Sequence, residues 1–432
     1  MFVQLETLKL RNFRKFENLE IGFHPKLTVL IGTNGAGKTT ILDAAAVAIG
    51  SLFVGLNGVA SPSMRTGDAH IKAFPMGSNE DVQPQYPVQI EAEGWENEEK
   101  GTWERTLSGS ENKITVGGAK FLKEIAVSYQ KRLMEGDSTL VLPVLAYYGT
   151  GRLWDYHREK KADTFKDTNR LNGYLDCLDG TANIKLMLNW FRKMTVQKYQ
   201  RQEQNLGGIP ELEVVYDAIE QCFSLAGGYQ DVKVLYNLNT NELDVYYTTE
   251  DQCRMKIPLG QLSDGYKGTV SLVADIAYRM AVLNPQLLGD VLKETSGVVL
   301  IDEVDLHLHP AWQQRVLKDL QSIFPKVQFI VTTHAPAVIQ SVQRENVRIL
   351  AHDKPDVPVS EVYGKDICSL VEQVMGVSGR PPEIKKRFQQ FYDALDQVDY
   401  KHAQEIIDEL RETIGDDSEL TSMQVQLDMD SF

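Results

Sequence analysis

The stretch IGTNGAGKTT, Ile31 to Thr40, constrains this chain more than any other ten residues. Gly32 and Gly37 bracket a four-residue arc that ends on Lys38 and Thr39. Phosphates need backbone N–H groups pointing inward, and glycines permit a curl that side chains would obstruct. An apolar run, KLTVLIG, precedes the arc, and the helical pattern KTTILDAAAVAIGSLF follows it. The arc is thus expected to open a helix, whose N-terminus favours anions. Asn34, Gly35, Ala36, Gly37, Lys38, Thr39 and Thr40 would wrap a polyphosphate. Lys38 would neutralise β- and γ-phosphate oxygens, and Thr39 would offer its hydroxyl to Mg2+. The ligand this predicts is a nucleoside triphosphate, ATP with Mg2+.

A second apolar run, SGVVLIDE, ends in two adjacent carboxylates. Its strand is expected directly beside the strand of the phosphate-binding loop. Asp302 would then reach the Mg2+ shell, and Glu303 would polarise the attacking water. His307 and His309 follow in the spacing H-x-H, a weak metal signal by itself. No further zinc ligands stand nearby in sequence, so the favoured reading is a turn ordered by these histidines, with contact to a partner subunit as a further role. LSDGYKG, with Leu262, Ser263, Asp264 and Gly265, opens another helix and makes a second anion cradle. It is expected to close over the triphosphate held by another copy of the chain. VTTHAP ends the next strand and places His334 toward the γ-phosphate.

Strands alternating with helices around a glycine-rich loop predict an α/β fold. The chain has 432 residues, 42% hydrophobic and 24% charged, in the range of globular proteins. No run of about eighteen apolar residues is read from the sequence, so no membrane partner is expected. Cys177, Cys222, Cys253 and Cys368 form no C-x-x-C pair, which suits a reducing, cytoplasmic setting. The stretch from Gly55 to Pro87, rich in Gly, Ser and Pro, reads as a mobile insertion.

A net charge of −15 argues against a chain that coats nucleic acid over its whole surface. Basic residues nevertheless gather at LRNFRK, YHREKK and WFRKMTVQKYQRQ, so a local DNA surface and solvated helix faces both stand as readings.

The order of GTNGAGKT, LSDG, IDE and TTH resembles the ATP-binding cassette superfamily, in its RecF-, SMC- and OLD-like branch. LKLRNFRKFENLEIGF followed by LTVLIGTNGAGKTTIL is similar to that branch's N-terminal signature. Transporters are a poor match, because LSDGY lacks their second glycine and terminal glutamine. About 225 residues separate Lys38 from Ser263 without heptads, unlike the coiled coils of SMC proteins. After His334 the sequence reads helical with no D-x-D cluster on a strand, which predicts no nuclease domain of its own.

LPVLAYYGTGRLW, NRLNGYLDCLDG, LIDEVDLHLHPAWQQ and VYGKDICSLVEQVMGVSGRPPEIKK resemble the ATPases of the Septu anti-phage system and of retrons. That likeness implies an ABC-type P-loop ATPase head with a helical insertion, or lid, and a C-terminal helical extension. The segments would be 1–150 (N-terminal lobe), 151–228 (lid), 229–356 (C-terminal lobe) and 357–432 (partner docking). It also implies a head-to-tail dimer or a higher oligomer, an HNH-type nuclease partner and, in retrons, a reverse transcriptase with its noncoding RNA and DNA. The loop after AYY lacks the usual glutamine of this superfamily. For Arg152 a phosphate contact across the dimer and a structural ion pair are both open; Arg14 is expected near the nucleotide. The alternative is a RecF-like DNA-repair ATPase that binds DNA through its basic insertion.

Overall fold

The computed structural model describes residues 3–431 except 78, 97–98, 111–113, 116, 154–168, 181–183, 228–229, 250, 352–353 and 377. The chain divides into two compact units, Met1–Lys365 and Asp366–Phe432.

In the first unit the strands are β1 (Val3–Phe13), β2 (Phe16–Gly22), β3 (Leu27–Ile31), β4 (Ile71–Met76), β5 (Asn79–Pro84), β6 (Val88–Glu96), β7 (Glu99–Leu107), β8 (Ile114–Thr115) and β9 (Val144–Tyr148). They continue with β10 (Gln230–Asn237), β11 (Glu242–Thr248), β12 (Arg254–Pro258), β13 (Gly297–Ile301), β14 (Val327–Thr332), β15 (Val347–Ala351) and β16 (Lys354–Asp356). The long helices are α1 (Lys38–Ile49), α2 (Lys120–Met134), α3 (Ile184–Glu203), α4 (Pro210–Gly227) and α5 (Asp264–Leu283).

The central sheet has the order β16-β15-β3-β14-β13-β9, parallel from β15 through β9. Every residue of β3, β9, β13 and β14 is buried, as parallel strands covered on both faces require. A second, antiparallel sheet, β2-β1-β6-β7-β8, alternates buried and open positions along β6. Helix α1 touches strands of both sheets, so the residues that open it are fixed from two sides. This is a fold of the expected α/β class, with the glycine-rich loop between β3 and α1.

The order corrects one expectation: the carboxylate strand β13 is not beside β3. Strand β14, ending in TTH, lies between them. The apolar runs of all three strands look alike in sequence, and nothing in a fully buried strand names its neighbour.

Other expectations change as well. The Gly55–Pro87 insertion contains an antiparallel hairpin, β4 with β5, turned at Gly77, whose φ is 65°. Pro75 and Pro84 fit there because each strand has a free edge. The segment Lys38–Gly55, which is α1 and the short 3-10 helix after it, reaches a mean hydropathy of 1.4 over 18 residues. It is 72% buried inside the fold, where a helix between two sheets must be apolar on most of its surface. AWQQRVLKDLQSIF forms two helices, Pro310–Gln313 and Val316–Ile323, separated at Arg315, whose φ of −127° is not helical. Strands β10, β11 and β12 form a separate antiparallel sheet of three strands. Helices α3 and α4 break at NLGGIPE, as the glycines indicate.

The second unit holds the helices Ile367–Gln373, Pro382–Asp396, Tyr400–Ile414 and Ser418–Asp430. Phe388, Phe391, Ile406, Ile407, Leu410, Leu420, Met423 and Leu427 form its core. At the turn between the second and third of these helices, the Asp399 carboxylate accepts from His402 N–H at 3.1 Å.

One buried acid makes stability depend on pH. Glu96 is 2% exposed at the end of β6, where it pairs with the Tyr129 hydroxyl of α2. Burial pushes its carboxyl up to about 8. A raised folded value means the folded state holds the proton more tightly. Its contribution is full below the unfolded value near 4.5 and is lost as pH rises through about 8. Glu96→Gln is expected to flatten the fall in melting temperature between pH 6 and pH 9. Parallel falls in variant and parent would contradict this.

Candidate functional site

The loop after β3 is shaped by its glycines. Gly37 has φ 96° at the start of α1, and a Cβ there would lie 2.4 Å from Cζ of Phe16. Gly35 has φ 77°, and nothing stands within 4 Å of where its Cβ would be. Thr33, Asn34 and Gly35 are exposed, Ala36 and Thr40 are half-buried, and Ala36 N–H donates to the Thr33 carbonyl at 3.1 Å. Lys38, 7% exposed, donates from Nζ to the carbonyls of Gly32 (2.9 Å) and Thr33 (3.1 Å). Burial lowers its pKa, while Asp302, Glu303 and Asp305 act in the opposite direction. A cation thus lies across the hollow of a loop whose outer residues face solvent.

Three segments converge beside it. Thr39 Oγ1, on α1, donates to Asp302 Oδ2 at 2.8 Å, although the strands that lead to them, β3 and β13, are not neighbours. Thr332, at the end of the intervening β14, donates from Oγ1 to Asp302 Oδ1 at 2.5 Å. The same hydroxyl accepts from the Glu303 N–H at 2.7 Å. Glu303 has φ 48°, a left-handed conformation that non-glycine residues seldom adopt. Next along, Thr333 Oγ1 donates to Asp305 Oδ1 at 2.5 Å and accepts from Ala335 N–H at 3.0 Å. His334 is half-buried between these two tethers and the turn that follows.

The LSDG segment is placed by a different contact. Ser263 and Asp264 are exposed at the start of α5, Leu262 is half-buried and Gly265 is buried. A Cβ on Gly265 would lie 2.4 Å from the His307 carbonyl oxygen, so this glycine is needed for close approach. Gly265→Ala should therefore displace the segment and reduce ATP turnover while leaving ATP affinity within about threefold. Parental turnover in that variant would refute the packing argument. His307 itself has φ 61°, and His309 Nδ1 accepts from Ala311 N–H at 3.3 Å, capping the Pro310–Gln313 helix. That bond is the turn-ordering role considered for these histidines.

Helix α5 is also tied to the end of β9. Tyr148 Oη donates to Asp275 Oδ2 at 2.7 Å, and Arg279 Nε donates to the same oxygen at 2.7 Å. Arg279 Nη1 reaches the carbonyls of Gly173 and Leu175 at 3.0 and 2.9 Å. The Tyr148 carbonyl in turn accepts from Asp302 N–H at 2.8 Å. A continuous chain of contacts thus joins the helix behind LSDG to the carboxylate strand.

Arg14 departs from expectation. Its guanidinium pairs with Asp43 of α1 and, at 2.8 Å, with Asp68, so its charge is engaged by two carboxylates rather than by the loop. The neighbouring Lys15 is the one that reaches the loop, donating from Nζ to the Gly35 carbonyl at 3.1 Å. Sequence could not choose between adjacent cations in NFRKF. Tyr147 Oη donates to Asp43 Oδ1 at 2.8 Å, and burial raises its pKa, reinforced by that carboxylate. Arg152 lies in the turn Thr150–Leu153 after β9, and its side chain is outside the described residues. So is the whole of the basic cluster YHREKK.

With this geometry in place, residues 7–223, half of the chain, match the family described as an AAA domain. The chain belongs to the AAA-domain ATPases. Residues 155–340 match a second family, described as an AAA domain, putative AbiEii toxin, Type IV TA system. This ATPase is 26% identical over 430 residues to the retron Vc95 probable ATPase of Vibrio cholerae serotype O1 biovar El Tor, covering 88% of this chain and 80% of that one. It is 25% identical over 415 residues to the Septu protein PtuA of Bacillus thuringiensis, covering 91% and 89%. The solved SMC head bound to the C-winged helix domain of ScpA aligns at 15% identity with a TM-score of 0.47, over 84% of this chain and 98% of that one. The AAA-domain ATPase is thus related to the retron and Septu ATPases and, at 24% identity over 394 residues (85% of this chain and 66% of that one), to the OLD nuclease of Thermus scotoductus (strain ATCC 700910 / SA-01).

Proposed function

We propose that this ATPase is a slow, switch-like subunit of a cytoplasmic bacterial anti-phage defence complex, controlling an associated nuclease through ATP-dependent pairing of two copies. The observation that carries this reading is the convergence of Lys38, Thr39, Asp302 and Glu303 from distant parts of the chain, in a relative of retron and Septu ATPases.

The placement of these residues supports the following roles. The N–H groups of Asn34 through Thr40 and the Lys38 ammonium bind the β- and γ-phosphates of ATP. A hydroxyl and a carboxylate oxygen 2.8 Å apart, Thr39 Oγ1 and Asp302 Oδ2, are the hard oxygen donors that suit Mg2+. Bound there, Mg2+ would neutralise developing phosphate charge. Glu303 takes the proton of the attacking water as general base, and His334 donates a hydrogen bond to the γ-phosphate. Ser263 and Asp264, exposed while Gly265 is anchored, serve the triphosphate of a second copy head to tail. ATP bound between two copies favours the closed pair, and hydrolysis releases it.

The partners are an HNH-type nuclease subunit and, where a retron is present, a reverse transcriptase with its noncoding RNA and DNA. The second unit carries fifteen Asp and Glu against six Lys and Arg from Asp366 to Phe432, which makes it the docking platform for a basic surface. The test is recovery of the tagged chain, expressed with its neighbouring genes and washed in high salt. A co-purifying nuclease supports the reading. The chain alone, with turnover that rises on adding DNA, supports instead a RecF-like repair ATPase whose DNA affinity falls steeply with salt.

A further inference from the structure

We infer that Thr332 is the positioning residue that sets both carboxylates of the catalytic strand, one hydroxyl orienting Asp302 and holding the backbone of Glu303. The inference rests on the ATPase reading above and adds to it the residue that makes that reading geometrically possible.

Because β14 lies between β3 and β13, the last residue of β14 stands between the phosphate loop and the carboxylate pair. That residue is Thr332, fully buried. Its hydroxyl has one proton to give and lone pairs to accept with. The proton goes to Asp302 Oδ1 at 2.5 Å, and a lone pair receives the Glu303 N–H at 2.7 Å. Its carbonyl accepts from Val304 N–H at 3.0 Å, so three consecutive residues of the β13 exit are tied to one residue.

Each bond has a separate consequence. Holding Oδ1 fixes the carboxylate plane of Asp302 and turns Oδ2 toward Thr39, 2.8 Å away. Rotation of this carboxylate would break that register with the hydroxyl that opens α1. Holding the Glu303 N–H maintains the φ of 48°, a left-handed conformation that a non-glycine residue keeps only when its surroundings impose it. In a relaxed backbone Glu303 would aim its side chain elsewhere. Thr333, one residue on, cannot substitute, since its hydroxyl is used by Asp305 and Ala335.

The decisive variants are Thr332→Val, which keeps the β-branched shape without the hydroxyl, and Thr332→Ser, which keeps the hydroxyl. Both are compared with the parent in the full chain, after thermal melting shows them folded. Thr332→Val is expected to hold a fluorescent ATP analogue within about threefold of parental affinity without metal, and to need ~10–100-fold more Mg2+ for half-maximal tightening of that binding. Turnover should fall by a similar factor, ~10–100-fold, with KM little changed. Thr332→Ser should restore both.

Glu303→Gln, run beside them, separates the two failures. If it abolishes turnover while Thr332→Val keeps the parental rate and Mg2+ dependence, the positioning role is overturned and the ATPase reading stands. If Thr332→Ser fails as badly as Thr332→Val, the hydroxyl is not the cause and the inference is likewise overturned. If Glu303→Gln itself turns over at the parental rate, the catalytic assignment falls, and the inference falls with it.

Discussion

Replacing Lys38 by Ala is expected to weaken ATP binding at least ~100-fold, read by equilibrium titration in the presence of Mg2+. The size follows from what the ammonium does. It bridges the loop carbonyls of Gly32 and Thr33, and its charge is drawn toward that place by Asp302, Glu303 and Asp305. On binding it would exchange those neutral acceptors for phosphate oxygens. Charge-assisted hydrogen bonds contribute roughly 1.5–3 kcal/mol each, and two of them correspond to about two to four powers of ten in affinity. Without the ammonium, the three carboxylates would also lose a nearby positive charge that offsets their repulsion of the phosphates. Parental ATP affinity in the variant would remove the phosphate-site assignment altogether.

The second large effect is expected at Glu303. Glu303→Gln keeps the size of the side chain and leaves the backbone bond to Thr332 in place, so the loop geometry is preserved. What it removes is the basic oxygen, and turnover should fall by ~10²–10⁴-fold, the usual contribution of a general base. ATP should still bind. The variant is therefore expected to accumulate with ATP retained between two copies, seen as a doubled mass by light scattering with ATP and the monomer mass without it. If the variant hydrolyses ATP at the parental rate, the proton acceptor is another group.

Much of this site can be read from the chain alone because its chemistry depends on local strings. A loop that must curl needs glycines at fixed offsets, and Gly32, Gly35 and Gly37 all have positive φ. The buried strands announce themselves as unbroken apolar runs. What the strings do not encode is lateral order. The exchange of β13 and β14 relative to expectation arises because both are equally apolar and their neighbours are chosen by the crossover helices. For the same reason Thr332 was legible only as part of a TTH string, whereas its bonds to two residues of another strand needed the sheet.

Adjacent like residues are the other blind spot. Arg14 and Lys15 differ by one position, yet the first turns to Asp43 and Asp68 and the second to the loop at Gly35. Asp68 belongs to the stretch read as a mobile insertion, so the partner that claims Arg14 could not be anticipated. Gly265 shows the same limit. LSDG suggests an anion cradle, but its glycine is required by the carbonyl of His307, a contact between segments more than forty residues apart.

The central claim is that the LSDG segment of one copy completes the phosphate site of another. It is tested most directly by mixing two inactive chains, Lys38→Ala and Ser263→Arg. Each alone has both sites disabled, one in the phosphate loop and the other in the segment that covers it. Random pairing of the two chains leaves one intact composite site in about half of the dimers, so the mixture should recover roughly a quarter of parental turnover. A mixture as inactive as its components would contradict the claim.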